Sequence, residues 1–320
     1  MKALDLFAGS GWGVACQQLG IEEFGVEIMP EALETRRLNG MNTIYNDVWD
    51  IDKAEGLDFD LLIASPPCQT FSTAGQGTGR EALNDVLSVL SDFPYGDIEK
   101  LRSFGELFGD DRTALVLAPL EYIHRFKPKY IAMEQVPTVL PLWKALAKVL
   151  ETLGYSVWTG NVQAEQFGVP QTRKRAILLA SSVREVGAPK PTHSKYHVRN
   201  PEKLDSGVLP WIPMHDAIGW GFYERPSITV TGSVGRGFAG GSKARMAVRK
   251  DIEAGKFKVS PHKGGKGFGE FVKIPTHEAQ ILQSYPKDFK FGGGVTKQFL
   301  QIGNAVPPLL AKKLLEHLTK

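Results

Sequence analysis

Cysteine is nearly absent from this chain of 320 residues, which holds only Cys16 and Cys68. So sparse a pair offers no disulfide framework and points to a reducing compartment, the cytoplasm. Long hydrophobic runs are missing as well. No stretch of about eighteen apolar residues stands ready to cross a membrane, and residues 2–7 already read as a strand, which leaves no room for a secretory leader. No Cys/His set has zinc-ligand spacing, so no metal is expected. Charge of one sign is also lacking. The 38 Lys and Arg nearly balance 35 Asp and Glu, leaving +3, so a nucleic-acid surface must come from local clustering. An apolar fraction of 42% does suffice for a substantial core. The length allows one large domain, or a large and a small one.

The N-terminal stretch has a clear grammar. Residues 3–7 form a short strand, Ala8-Gly9-Ser10-Gly11-Trp12-Gly13 a glycine-rich turn, and a helical pattern follows to Gly20. Strand, turn and helix make the opening unit of a dinucleotide-like fold, in which glycine lets a ligand approach the backbone. A second strand, 24–27, ends on an acid, Glu27, and a carboxylate there suits ribose hydroxyls. Pro30 opens a helix to residue 38, and a third strand covers 43–46. Leu61–Ala64 has the length of a buried strand and stops at Pro66-Pro67, which cannot continue a ladder. That turn holds Cys68 at the strand's carboxyl edge, where open α/β sheets place their ligands.

Downstream, residues 72–112 form a long polar stretch with short helices predicted over 82–90 and 98–108. A helix is expected over 115–126, closed by Pro128. A strand over 130–133 runs into Glu134-Gln135-Val136, and a helix over 142–153 is closed by Gly154. Strands over 157–162 and 176–180 flank Gln171-Thr172-Arg173-Lys174-Arg175. This alternation argues for a largely parallel sheet. From about 181 the character changes: Gly, Pro and Lys abound, with a strand and turn at 228–232. Lys243, Arg245, Arg249, Lys250, Lys256, Lys258, Lys263 and Lys266 outnumber Asp251, Glu253 and Glu270, a composition that suits a phosphate backbone. A helix capped by Thr276 and a closing helix over 309–318 complete the chain.

Pro67-Cys68-Gln69-Thr70-Phe71-Ser72 resembles the nucleophile motif of the DNA cytosine-C5 methyltransferases. The family's other motifs stand in order, from Asp5-x-Phe7-x-Gly9-x-Gly11 through Glu134-Gln135-Val136 and Gln171-x-Arg173-x-Arg175 to Gln301-Ile302-Gly303-Asn304-Ala305-Val306-Pro307. Two positions depart from the pattern, Gln135 where the family has Asn and His277 where it usually has Arg. The resemblance implies a Rossmann-like, class I S-adenosylmethionine-dependent methyltransferase domain over 1–180 plus 274–320. A small Gly/Lys-rich target-recognition domain would occupy 181–273. It also implies a cofactor site of Asp5, Phe7, Ala8, Gly9, Gly11, Glu27, Asp47, Pro67, Asn304 and Val306, with Phe7 against adenine and Asp50 and Asp52 competing with Asp47. Gln69, Ser72 and Gln135 would face the substrate.

The implied chemistry explains these residue types. Carbon 5 of cytosine is a poor nucleophile until a thiolate adds to carbon 6 and makes the ring an enamine. Cys68 would supply that thiolate, its acidity raised by Arg173, Arg175 and backbone amides. Glu134, protonated, would donate to ring nitrogen 3, or else stand ionised beside Arg173 or Arg175 in the free enzyme. The target lies within a duplex, so the base must be swung out. The expected partner is double-stranded DNA, met by a monomer of bacterial or phage type, with a cognate restriction endonuclease as a companion. A tRNA methyltransferase of the same pattern and a catalytically silent DNA-binding relative are the alternatives. An exocyclic-amine methyltransferase is disfavoured because Cys68 stands where a Ser-Pro-Pro-Tyr motif has Tyr. A nicotinamide dehydrogenase rests on the glycine turn alone.

Overall fold

The computed structural model describes residues 1–67, 78–90, 96–107, 111–232 and 274–320. They form two compact units, the first made of 1–162, 174–190 and 311–320 and the second of 163–173 and 191–310.

The first unit is built on a sheet of β1 Lys2–Leu6, β2 Glu22–Val26, β3 Asn42–Tyr45, β4 Leu61–Ala64, β5 Tyr130–Gln135, β6 Ser156–Gln163 and β7 Lys174–Ser181, in the order β3-β2-β1-β4-β5-β7-β6. From β3 to β5 every pairing is parallel, whereas β7 runs antiparallel to β5 with Glu134 opposite Ile177 and Gln135 opposite Ala176. The central strands are apolar on both faces, as parallel strands covered by helices must be. All four residues of β4 are buried, and so are Ala3 to Leu6 of β1.

Helices α1 Gly11–Leu19, α2 Pro30–Leu38, α3 Thr78–Leu90, α4 Ile98–Leu107, α5 Asp111–Ala114, α6 Ala118–Phe126 and α7 Leu140–Thr152 belong to this unit. Trp143 of α7 is fully buried and donates to the Ala176 carbonyl at 3.2 Å. Both helices expected in the polar stretch exist, the first starting earlier, at Thr78. The helix expected over 115–126 is shorter, because residues 115–117 form a turn between α5 and α6. Pro119 sits in its first turn, where proline costs no hydrogen bond.

The second unit holds α8 Met214–Ile218, α9 Thr276–Leu282, α10 Val295–Asn304 and the start of α11 Pro308–Thr319. It has its own core, in which Met214, Trp220, Phe222, Val230, Leu282 and Phe299 are packed together. Its extent differs from the recognition domain expected from sequence, since it also takes in 163–173 and most of 274–310. Side-chain bonds explain this. Gln171 Nε2 donates to the Leu282 carbonyl at 2.8 Å, its Oε1 accepts from the Val230 amide at 3.0 Å, and Gln283 Nε2 donates to the Ala305 carbonyl at 2.7 Å. Three smaller expectations also change. Thr276 is the first helical residue of α9, with Pro275 in the cap position. Residues 228–231 are irregular and Gly232 is a turn, with an isolated bridge between Gln171 and Ser227 just before them. The helix α10 was unforeseen, hidden by the reading of its last residues as a motif. The basic residues from Lys243 to Lys266 lie outside the described residues.

Candidate active site

The carboxyl ends of the parallel strands gather the residues that matter in the first unit. Beyond β1, Phe7 and Gly9 both adopt positive φ, 58° and 47°. Gly9 is where such a turn is natural; Phe7 is a non-glycine residue held in a sparsely populated conformation, a form of strain concentrated at functional sites. A Cβ built on Gly9 meets no atom within 4 Å, so the turn faces open space. Gly11 begins α1, and the Ala8 side chain is buried.

Glu27, just past β2, accepts three backbone amides: Gly9 at 2.8 Å, Ile28 at 2.9 Å and Met29 at 2.8 Å. It thereby braces the glycine turn. Ile28 beside it is 67% exposed, a large apolar residue facing out at a strand end, and sequence reasoning passed over it. Asp47 accepts from the Trp49 amide at 3.0 Å. Its competitors are engaged elsewhere, Asp50 with Lys53 and Asp52 with Arg125. Of these three, Asp47 is the one without a cationic partner among the described ion pairs. Asp5 differs from these. It is fully buried, with no surface open to a bound molecule.

At the ends of β4 and β5 the geometry is tighter. Gln135 Nε2 donates to the Pro66 carbonyl at 2.6 Å, while its Oε1 accepts from the Val136 amide. Trp12 Nε1 donates to Ser65 Oγ at 2.9 Å. The segment leading to Cys68 is thus held from two sides, by α1 and by β5. Trp12 and Ser65 escaped notice in the sequence because nothing in their spacing links them. Pro67 is half-buried; Cys68, Gln69 and Ser72 lie outside the described residues. The other cysteine, Cys16, is buried in α1, and desolvation followed by the nearby Asp5 and Glu23 pushes its thiol far up. It is an inert core residue.

Glu134 is 5% exposed, and its Oε1 pairs with Arg175 Nε at 2.8 Å. Of the two arginines weighed as its partner, Arg175 is the one bonded. Arg173 is fully buried, and its guanidinium donates to the carbonyls of Val230 (2.9 Å), Gly303 (2.8 Å) and Ala305 (2.9 Å) within the second unit. The Gln-x-Arg-x-Arg motif is therefore divided: Gln171 and Arg173 bind backbone, and Arg175 binds the acid. Arg173→Met strips donors from largely buried carbonyls at about 1–3 kcal/mol each. Its melting temperature, followed by circular dichroism, is expected to fall by roughly 10 °C.

Asn304 is the exposed last residue of α10 and Val306 is buried, both in the second unit. Among the described residues, no group of three or more His, Cys, Asp or Glu is placed to hold a metal ion. No helix among them is long and apolar enough to cross a membrane.

A family model described as C-5 cytosine-specific DNA methylase matches residues 1–89, 104–210 and 242–320. The type II methyltransferase M1.HphI of Haemophilus parahaemolyticus is 27% identical over 99% of this chain and 86% of its own length. The type II methyltransferase M.HindV of Haemophilus influenzae is 27% identical over 98% and 94%. Among solved structures, a mutant of the Spodoptera frugiperda DNMT2 superposes with a TM-score of 0.64 at 16% identity, covering 100% of this chain and 99% of that one. A putative DNA modification methyltransferase encoded within an Escherichia coli prophage gives 0.59 at 18% identity over 99% and 98%. These two likenesses speak to the fold.

Proposed function

The chain belongs to the C-5 cytosine-specific DNA methylase family, and from that premise we propose how its own residues carry out methyl transfer to carbon 5 of a flipped cytosine in duplex DNA. The observation that carries the reading is the joint between β4 and β5. Gln135 grips the Pro66 carbonyl, two residues before Cys68, while its neighbour Glu134 is held by Arg175. Nucleophile segment and acid are thereby referred to one pair of adjacent strands.

In this reading Cys68 attacks carbon 6 as a thiolate, and electron density moves into the ring toward nitrogen 3. Glu134 meets that charge with a proton, after exchanging or sharing its bond to Arg175. A carboxylate gripped by a guanidinium is an acceptor, so Glu134 takes up a proton from solvent before it can give one to nitrogen 3. Once carbon 5 has been methylated, a base such as water takes its proton, the double bond between carbons 5 and 6 re-forms, and Cys68 leaves as the thiolate. Gln135 fixes the approach of the nucleophile, and proximity of this kind is worth large factors in rate.

S-adenosylmethionine is the methyl donor this site fits, and when bound it supplies an electrophilic methyl group. The fit rests on the open face of Gly9, the strained Phe7 beside it, the exposed Ile28 and the carboxylates of Glu27 and Asp47. Phe7 and Ile28 offer apolar faces to an adenine, and Glu27 retains lone pairs for ribose hydroxyls. We assign Asn304 and Val306 to the cofactor side, and Gln69 and Ser72 to the cytosine. The proposed substrate is double-stranded DNA, bound by a monomer that works alongside a restriction endonuclease. Incubation with labelled S-adenosylmethionine and mixed-sequence duplex DNA, followed by nucleoside analysis, tests this. The label should appear in 5-methylcytosine; label in an exocyclic amine, or only in tRNA, would refute it.

A further inference from the structure

Beneath the glycine turn lies a buried charged cluster. Arg36 of α2 is 0% exposed, and Glu23 of β2 is 7% exposed. One Nη of Arg36 binds both carboxylate oxygens of Glu23, at 2.8 and 2.9 Å, and the carbonyl of Asn42. Its Nε donates to Thr43 Oγ1 at 2.8 Å, and its other Nη donates to the carbonyl of Gly9 at 3.3 Å. Gly9 is therefore held through both of its backbone groups, its N–H by Glu27 and its C=O by Arg36. Gly25 makes the arrangement possible. A Cβ there would lie 2.0 Å from an Arg36 nitrogen, so the strand gives up a side chain to let the guanidinium pass.

Asp5 completes the cluster. Neither of its oxygens receives a bond from an N–H or hydroxyl, and the polar group it meets is the Glu23 carboxyl. Two carboxylates and one guanidinium would leave a net negative charge in a dry interior, which is costly. One proton on Asp5, donated to Glu23, makes the cluster neutral.

We infer that Arg36 and Glu23, with a protonated Asp5, are positioning residues that hold the Gly9 turn in the shape that receives the methyl donor. Asp5 serves as scaffold and does not touch the cofactor. Burial, then the Glu23 charge, raises the Asp5 carboxyl well above its ordinary range, although Arg36 opposes this and Glu27 adds to it. Burial raises Glu23 as well, against Arg36. Cys16 is the remaining titratable neighbour, and it stays a thiol.

The inference rests on S-adenosylmethionine binding, so its test carries a second readout that does not. Arg36→Met alone strands Glu23 and risks unfolding; the double variant Glu23→Gln with Arg36→Met removes both charges and leaves Asp5 an acceptor. It should fold, with a melting temperature below that of wild type because the Gly9 and Asn42 carbonyls lose their donor. Its KM for S-adenosylmethionine should rise roughly tenfold with kcat at saturation within about twofold, the signature of a lost bond to the binding turn. Amide exchange of residues 7–14 in the free protein should accelerate. Asp5→Asn, which mimics the protonated acid, should keep KM within about threefold of wild type. It should also gain stability relative to wild type as pH rises above the ordinary carboxylate range, about 4. Above that range the unfolded wild-type chain loses the Asp5 proton while burial makes the folded chain hold it to higher pH, a penalty that Asp5→Asn does not carry. Unchanged KM and exchange in a folded double variant would overturn the inference, as would a large rise in KM for Asp5→Asn. Wild-type protein that fails to bind the donor, with faster exchange in the variant, would instead locate the failure in the cofactor assignment.

Discussion

Cys68→Ser is expected to bind duplex DNA and S-adenosylmethionine as wild type does and to transfer no measurable methyl group. The activity loss should be about 10⁴-fold or more, because the substitution removes the reaction's covalent step. A serine hydroxyl is almost wholly protonated at neutral pH, and an alkoxide leaves carbon 6 far less readily than a thiolate. Binding should survive, since the segment before residue 68 is held by bonds that do not involve its side chain: Gln135 to the Pro66 carbonyl and Trp12 to Ser65. Filter binding for DNA and equilibrium dialysis for the donor separate the two effects. Lost binding together with lost turnover would make Cys68 a structural residue. Cys16 offers an internal control. Buried in α1 with its thiol pushed up, it should tolerate Cys16→Ala with kcat changed less than about twofold.

The second large effect belongs to Glu134. Glu134→Gln keeps the shape of the side chain and an N–H donor, but takes away the proton that offsets charge at ring nitrogen 3. A fall in kcat of about 10²–10³ is expected, the range for removing one general acid or one charge-stabilising donor. KM for DNA should hardly move. Single-turnover kinetics under saturating substrates would show the loss in the chemical step. A loss confined to KM would mean that Glu134 serves only to anchor Arg175. Stability is a weaker indicator, because Arg175 is left without its partner at a site where it is only slightly exposed.

Much of the sheet was readable because parallel strands carry an unmistakable pattern. Leu61-Leu62-Ile63-Ala64 is apolar throughout, bounded by prolines, and becomes β4 as read; Gly20 closes α1 in a left-handed conformation. The sense of β7 follows from its short connection, since residues 164–173 are too few for a crossover helix. The line between the two units was not readable. It depends on where Gln171 and Arg173 find carbonyls to bind, and those carbonyls lie more than fifty residues away in sequence. For the same reason the roles of Arg173 and Arg175 could not be separated. Both are arginines in one motif, and only the fold gives one of them Glu134 and the other backbone. The buried cluster was hidden differently. Glu23 and Arg36 look like the charged positions of any strand and helix surface. The clue was Gly25, a glycine inside a strand, which marks a place where something must come close.

The claim on which all of this turns is a covalent bond between Cys68 and carbon 6 of the target base. Duplex DNA carrying 5-fluorocytosine, incubated with the protein and S-adenosylmethionine, tests it directly, because fluorine at carbon 5 cannot be eliminated as a proton is. The account predicts a complex that survives a denaturing gel, with one added methyl group by mass spectrometry and its DNA mapped to Cys68. Methylated product without any adduct, or an adduct at another residue, would contradict it.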